Sequence, residues 1–256
     1  MQEPILIALH GARGAGKDTT FDFIVKWGAK SDPALSAVRG SFADRMKWAY
    51  MRMWNPRITM EQAIEFIDLW KNNNQAHVEG RFAGGAADTF LQPVNFRDHM
   101  NQFATESARE VYGDDHWVDM LLPLEPTPHN PEGWRGHFLV PPRSSNEDPY
   151  SFAHFAVITD LRVTNEMYRI KDLGGLLVKV KRKDAEDKQR AYYEERGLDP
   201  HLFASEIPDE YFDVILDNND NNMENAYLRT KLMMDEIQHS GVASIKRGNP
   251  SPWRIK

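Results

Sequence analysis

Five short apolar runs punctuate the chain: Ile5–Leu9, Ala34–Phe42, Phe152–Thr159, Leu176–Val180 and Phe212–Leu216. Runs of this length, bounded by turn residues and lacking strict alternation, read as strands buried on both faces. Between them apolar positions recur every three or four residues. That period predicts helices from Thr20 to near Gly28, Asp44–Trp54, Thr59–Lys71, about Val94–Tyr112, His116–Leu122, Val163–Leu173, Asp184–Arg196 and Met223–Gln238. Pro56 stops one helix, and Thr59 with Gln62 three residues on forms a capping box that starts the next. Gly174-Gly175 ends the helix before the fourth strand. Strands alternating with helices predict an α/β fold with about five parallel strands and helices on both faces.

Two stretches fall outside this rhythm. Residues 75 to 92, with Gly80, Gly84 and Gly85, have no clear period and read as loop or hairpin. Pro123 to Tyr150 is proline-rich and poor in aliphatics, yet strand-like sequence resumes at once. It is therefore an insertion, and a plain surface loop is a better reading of it than a lid or partner surface. No repeat period is present, and residues 1–256 are expected to form a single domain.

The first strand leads without a spacer into Gly11-Ala12-Arg13-Gly14-Ala15-Gly16-Lys17-Asp18-Thr19. Strand, GxxxxGK, helix is the order of a phosphate-binding loop. Its glycines let backbone N–H groups converge on an anion, the helix N-terminus adds partial positive charge, and Lys17 reaches the terminal phosphates. The residue after the lysine, ordinarily a Ser or Thr that holds Mg²⁺, is Asp18; either Asp18 through a water or Thr19 is the metal residue.

Composition narrows the partners. Lys plus Arg number 31 against 38 Asp plus Glu, a net charge of −7, which argues against a nucleic-acid backbone as the phosphate partner. The chain has no cysteine, which removes disulfides and thiol nucleophiles from consideration. Apolar stretches are shorter than a membrane span and no signal peptide is read, so the expected location is cytoplasmic, without a membrane partner.

Ligands of parallel sheets bind beyond the carboxyl ends of the strands. Asp160 follows Phe155–Thr159 and Arg162 lies two residues on. Asp160 is a candidate for Mg²⁺, or alternatively a helix cap. Arg97, Asn101, Thr105 and Arg109 recur every four residues, so they share one sector of the long helix, about 120° wide. A solvated helix face has the same pattern.

In these residues the chain resembles the deoxynucleoside monophosphate kinases of tailed bacteriophages. The resemblance rests on GKDTTFDFI, the arginine stripe, ITDLRVTNE ahead of a Leu-Gly-Gly strand, and His201 with Ser205-Glu206 before the strand ending at Asn218, all in the same order. It covers both ends and the centre, and leaves residues 55 to 92 and 123 to 151 unmatched.

The resemblance implies a P-loop kinase that transfers a phosphoryl group from ATP to a deoxynucleoside monophosphate with Mg²⁺, for DNA precursor synthesis, in the host cytoplasm if phage-encoded. Gly11, Arg13, Gly14, Ala15, Gly16, Lys17, Asp18 and Thr19 would hold ATP, with Asn218 on the adenine side or capping the next helix. Asp160 would serve magnesium and Arg162 phosphate. Arg97, Asn101, Thr105 and Arg109, with Asp44, Lys47 and Glu166, would surround the acceptor within a helical region at 44–122. Residues 182–206 form a lid-like region led by Arg182, with Lys183, Lys188, Arg190 and Arg196; a solvated charged helix is the competing reading. A homodimer is compatible with the resemblance.

The departures are Asn101 where the family usually has Gln, Ala104 for Gly, Arg45 and Lys183 for Pro, and two extra residues between His201 and Ser205. Asn101 shortens an amide at the acceptor base, so base preference does not carry over. Two other functions stay open: a P-loop kinase with another small phosphorylated acceptor, and a nucleotide-sensing NTPase switch or binding module. The absence of a guanine-reading NKxD segment counts against a GTPase.

Overall fold

A computed structural model describes residues 3–32, 35–53, 55–65, 103, 110–128, 130–140, 151–195, 207–242 and 245. Its strands are β1 (Ile5–His10), β2 (Ala37–Gly40), β3 (Leu139–Val140), β4 (Ser151–Phe152), β5 (Phe155–Leu161), β6 (Leu176–Lys181) and β7 (Val214–Asp217). The helices are α1 (Lys17–Ser31), α2 (Phe42–Arg52), α3 (His116–Leu121), α4 (Thr164–Asp172), α5 (Lys183–Glu195) and α6 (Met223–Ser240). Short helical pieces also occur at 60–65 and Glu110–Tyr112.

The chain divides into two compact units, one of Met1–Ser41 with Leu122–Lys256 and one of Phe42–Leu121. The first is built on a five-stranded sheet in the order β2-β5-β1-β6-β7, every pairing parallel. Alternation along β1 sends Ile7 and Leu9 to one face, where they join Val178, Val180, Val214 and Leu216 beneath Ile24 and Trp27 of α1 and Met233, Met234 and Ile237 of α6. α4 packs against β1 and β6 and contributes the fully buried Met167 and Ile170. It covers the other face: Gly175, which follows it, lies so close to Leu6 and Ile170 that a Cβ there would be 3.0 and 2.7 Å from their side chains. A sheet covered on both faces explains why its strands read as continuous apolar runs.

In the second unit α2 packs against α3, and Phe103 sits between Tyr50 and Trp117, with centroids 5.3 and 5.8 Å away. The expected capping box is present: Thr59 Oγ1 accepts from Gln62 N–H at 3.2 Å and Gln62 Oε1 accepts from Thr59 N–H at 3.0 Å. The bounds of this unit lie close to the 44–122 region expected to be helical.

Several boundaries differ from expectation. α1 begins at Lys17 and continues through Gly28, which stays helical with Leu35 packed against it. β2 is only four residues long, and Phe42, expected within it, opens α2. The run 152–159 divides into β4, which pairs antiparallel with β3, and β5, which extends past Asp160 to Leu161. The proline-rich insertion is not simply a surface loop. A 3₁₀ turn at Gly133–His137 seats Trp134 and Phe138 in the interior, and the Phe138 ring lies against Gly40, where a Cβ would be 2.9 Å away. Two aromatics can anchor a stretch that lacks aliphatics. The expected helix over 94–112 is described only at Phe103 and its last turn, and residues 75 to 92 lie outside the described residues.

Candidate functional site

β1 occupies the centre of the sheet and delivers the chain into the loop 11–16, from which α1 departs at Lys17. The glycines at 11, 14 and 16 have φ of 151°, 85° and 103°. Gly11 is further constrained by space, because a Cβ would sit 2.4 Å from the Val180 carbonyl oxygen of the neighbouring strand. Gly16 is the left-handed residue that turns the loop into α1, where unpaired N–H groups and the helix dipole favour an anion. Lys17 curls back over the loop and donates to the carbonyls of Gly11 at 2.6 Å and Ala12 at 3.0 Å. Burial lowers its pKa to about 8, with Arg162 as the next cause and Asp18 and Asp160 acting in the opposite sense. The ammonium is still charged at neutral pH, and Arg162, Asp18 and Asp160 all act on it.

Asp160 lies on β5, hydrogen-bonded neighbour of β1, and is only 8% exposed. It does not cap α4. Its Oδ2 accepts a hydrogen bond from Ser41 Oγ at 2.8 Å. The cap belongs to Glu166, whose Oε2 accepts from the backbone N–H groups of Arg162 at 2.6 Å and Val163 at 3.2 Å. Burial and the neighbouring Asp160 raise the Glu166 pKa to about 7. Glu166, expected among the acceptor-binding residues, is thus turned into the protein.

The segment expected to act as a lid meets the loop. Arg182 donates through Nε and Nη2 to Asp184 at 2.7 and 3.0 Å and through Nη1 to the Gly14 carbonyl at 3.4 Å. From α5, Gln189 Oε1 accepts from the Arg13 N–H at 2.6 Å. Asn218 Nδ2 reaches the Ala15 carbonyl at 3.5 Å, while Asn222 caps α6, so Asn218 is not that cap. Asp18 is exposed and lies 3.6 Å from Arg39; Thr19 is half-buried. In the Phe42–Leu121 unit, Asp44 and Lys47 form an ion pair at 2.9 Å. Arg97, Asn101, Thr105, Arg109, Arg196, His201, Ser205 and Glu206 lie outside the described residues.

No protein-family model and no curated protein matches the chain. Among the described residues no group of three or more His, Asp or Glu could hold an ion. Mg²⁺ commonly takes one or two carboxylates and fills its remaining positions with substrate phosphate oxygens and waters. Asp160, with Asp18 or Thr19, suits such a nucleotide-borne ion and does not form a self-sufficient cage.

Sequence reading missed three residues here: Ser41, Gln189 and His10. A polar residue at the end of each apolar run is the signal that could have found Ser41 and His10; Gln189 carries none. His10 closes β1, with its ring 5.1 Å from that of Phe212 and Nδ1 3.0 Å from the Leu161 carbonyl oxygen. A carbonyl only accepts, so Nδ1 carries the hydrogen and Nε2 the lone pair. Burial, reinforced by Lys179 and Lys17 against the opposing carbonyl bond, lowers the His10 pKa from 6.5 to about 4.

The folded state therefore excludes a proton that the unfolded chain binds. Stability from this group is full above pH 6.5 and is lost as pH falls toward 4. At about pH 5 the expected loss is roughly 2 kcal/mol. His10→Asn, whose amide can still donate to Leu161, should flatten that part of the profile. Urea midpoints of both proteins at about pH 7.5 and about pH 5 test this, and equal drops would overturn it.

Proposed function

We propose that this chain is a P-loop kinase that transfers the γ-phosphoryl group of ATP to a deoxynucleoside monophosphate, giving ADP and a deoxynucleoside diphosphate. The observation that carries the reading is Lys17. Its ammonium is partly desolvated and drawn back onto the carbonyls of a glycine loop, with a buried carboxylate on the adjacent strand. A five-stranded parallel sheet flanked by helices is compatible with a P-loop fold. The acceptor assignment rests on the resemblance.

Phosphoryl transfer asks for positioning and charge stabilisation more than for a strong base, because the attacking monophosphate oxygen is already ionised. The loop N–H groups and Lys17 hold the β- and γ-phosphates of ATP. Mg²⁺, when bound, neutralises phosphate charge, and Asp160 with Asp18 or Thr19 would hold it. Arg162 and Arg182 stabilise the charge that develops between donor and acceptor. Arg97, Asn101, Thr105 and Arg109, with Asp44 and Lys47, would orient the acceptor.

ADP release from Mg-ATP, measured with each deoxy- and ribonucleoside monophosphate singly, tests the proposal. Stimulation by one or more monophosphates is expected. Slow hydrolysis indifferent to every one of them would favour the nucleotide-sensing switch instead.

The contact of Gln189 with the loop has its own consequence. Its amide oxygen occupies an N–H that a phosphate would use, so ATP must displace it. Gln189→Ala is expected to tighten ATP binding by about threefold to tenfold, the equivalent of one neutral hydrogen bond. Calorimetry reads the change, and unchanged or weaker binding would show that Gln189 does not compete.

A further inference from the structure

We infer that Ser41 is a positioning residue for the Asp160 carboxylate, and that its hydroxyl sets the affinity of the site for the nucleotide-borne divalent cation. This rests on the assignment of Asp160 in the kinase reading. Ser41 is the single residue between β2 and α2. Its place is fixed by Gly40, which pairs in register with Ile158 and lies so close that a Cβ would come within 2.9 Å of the Ile158 Cδ1 and of the Phe138 ring. With β2 held this tightly against β5, the next residue is delivered onto Asp160, two positions beyond Ile158.

Ser41 and Asp160 are 5% and 8% exposed, and the hydroxyl donates to Oδ2 at 2.8 Å. A buried carboxylate needs donors, and this one also lies beside the buried Glu166. The bond restrains rotation of the carboxylate before any cation arrives. Outer-shell hydrogen bonds of this kind orient a ligand oxygen and raise metal affinity. Ser41 is also the last residue of the sheet-bearing unit before the chain enters Phe42–Leu121. The hydrogen bond therefore ties the cation's carboxylate to the point where the chain leaves the sheet.

A purely structural bond would satisfy the buried carboxylate and leave cation affinity alone. The two roles separate in a Mn²⁺ titration of the full-length protein with ADP bound, reading free Mn²⁺ by electron paramagnetic resonance. Ser41→Ala is expected to weaken Mn²⁺ binding by about 10- to 100-fold, and Asp160→Asn to weaken it at least as much, toward the affinity of ADP alone. Ser41→Thr, which keeps the hydroxyl, should stay close to wild type. Ser41→Cys keeps the volume with a weaker donor; it should weaken binding in the same direction, and it decides the matter if Ser41→Ala does not fold. Wild-type Mn²⁺ affinity in Ser41→Ala or Ser41→Cys, with affinity weakened in Asp160→Asn, would overturn the inference alone. Wild-type affinity in Asp160→Asn would overturn the assignment of Asp160, and this inference with it.

Discussion

Lys17→Ala is expected to lower phosphoryl transfer by about a thousandfold, roughly 4 kcal/mol of transition-state stabilisation, while the chain remains folded. The two halves of this expectation have separate origins. Among the described residues the ammonium donates to the Gly11 and Ala12 carbonyls of its own loop, and its pKa is depressed, so the charge is kept there at a cost. Its loss removes that cost along with two hydrogen bonds, and the melting temperature should move by a few degrees at most. In the proposed reaction the same ammonium would face charge spread over the equatorial oxygens of the transferred group. Single-turnover rates and thermal melts of the two proteins separate the effects. An unchanged rate would remove the kinase reading, and an unfolded variant would show that Lys17 is structural.

Gly11→Ala is expected to act on the fold first. The added Cβ meets the Val180 carbonyl oxygen at 2.4 Å, and the residue already has a φ of 151°, a region L-residues rarely enter. Val180 belongs to β6, which is paired on both sides, so its backbone cannot retreat without breaking the ladder to β1 or β7. A cost of about 3–5 kcal/mol follows from overpacking and strain combined, a large share of the roughly 5–15 kcal/mol that holds an ordinary domain folded. Denaturant midpoints measure it. A loss below about 1 kcal/mol would mean that the loop and β6 separate more easily than their packing indicates. Gly14→Ala is the useful contrast, because nothing lies within 4 Å of a Cβ there and only the φ of 85° opposes it.

Local chemistry made much of this architecture readable. The five parallel strands follow from apolar runs that only burial on both faces explains. The turn from β1 into α1 follows from glycines that supply the positive φ it needs at 11, 14 and 16. The capping box of Thr59 and Gln62 follows from reciprocal hydrogen bonds within four residues. What stayed hidden depends on residues far apart in the chain. Phe138 looked like part of a proline-rich surface loop because its partner, Gly40, is almost a hundred positions earlier. For Asp160 a helix cap stayed open beside the Mg²⁺ role, because the hydroxyl that engages it belongs to Ser41 and the cap itself comes from Glu166, three positions beyond Val163. Gln189 sits among charged residues on a helix with nothing local to mark its contact with Arg13. The acceptor role proposed for Arg97 to Arg109 rests on spacing and resemblance alone.

The order of strands across the sheet also governs how the protein can be made. β1 leaves the ribosome ahead of the other strands of this sheet, yet both of its neighbours come late: Ile5 pairs with Phe155, and Ile7 with Leu176. Throughout synthesis of the intervening segment the most apolar strand of the sheet has no ladder to join, while the Phe42–Leu121 unit, whose partners are nearer in sequence, can gather first. The loop 11–16 is therefore translated before either strand that pairs with β1 and takes its shape only after both have been made. A nascent chain arrested before β6 would carry the complete GxxxxGK motif with the carbonyl wall that shapes Gly11 still missing.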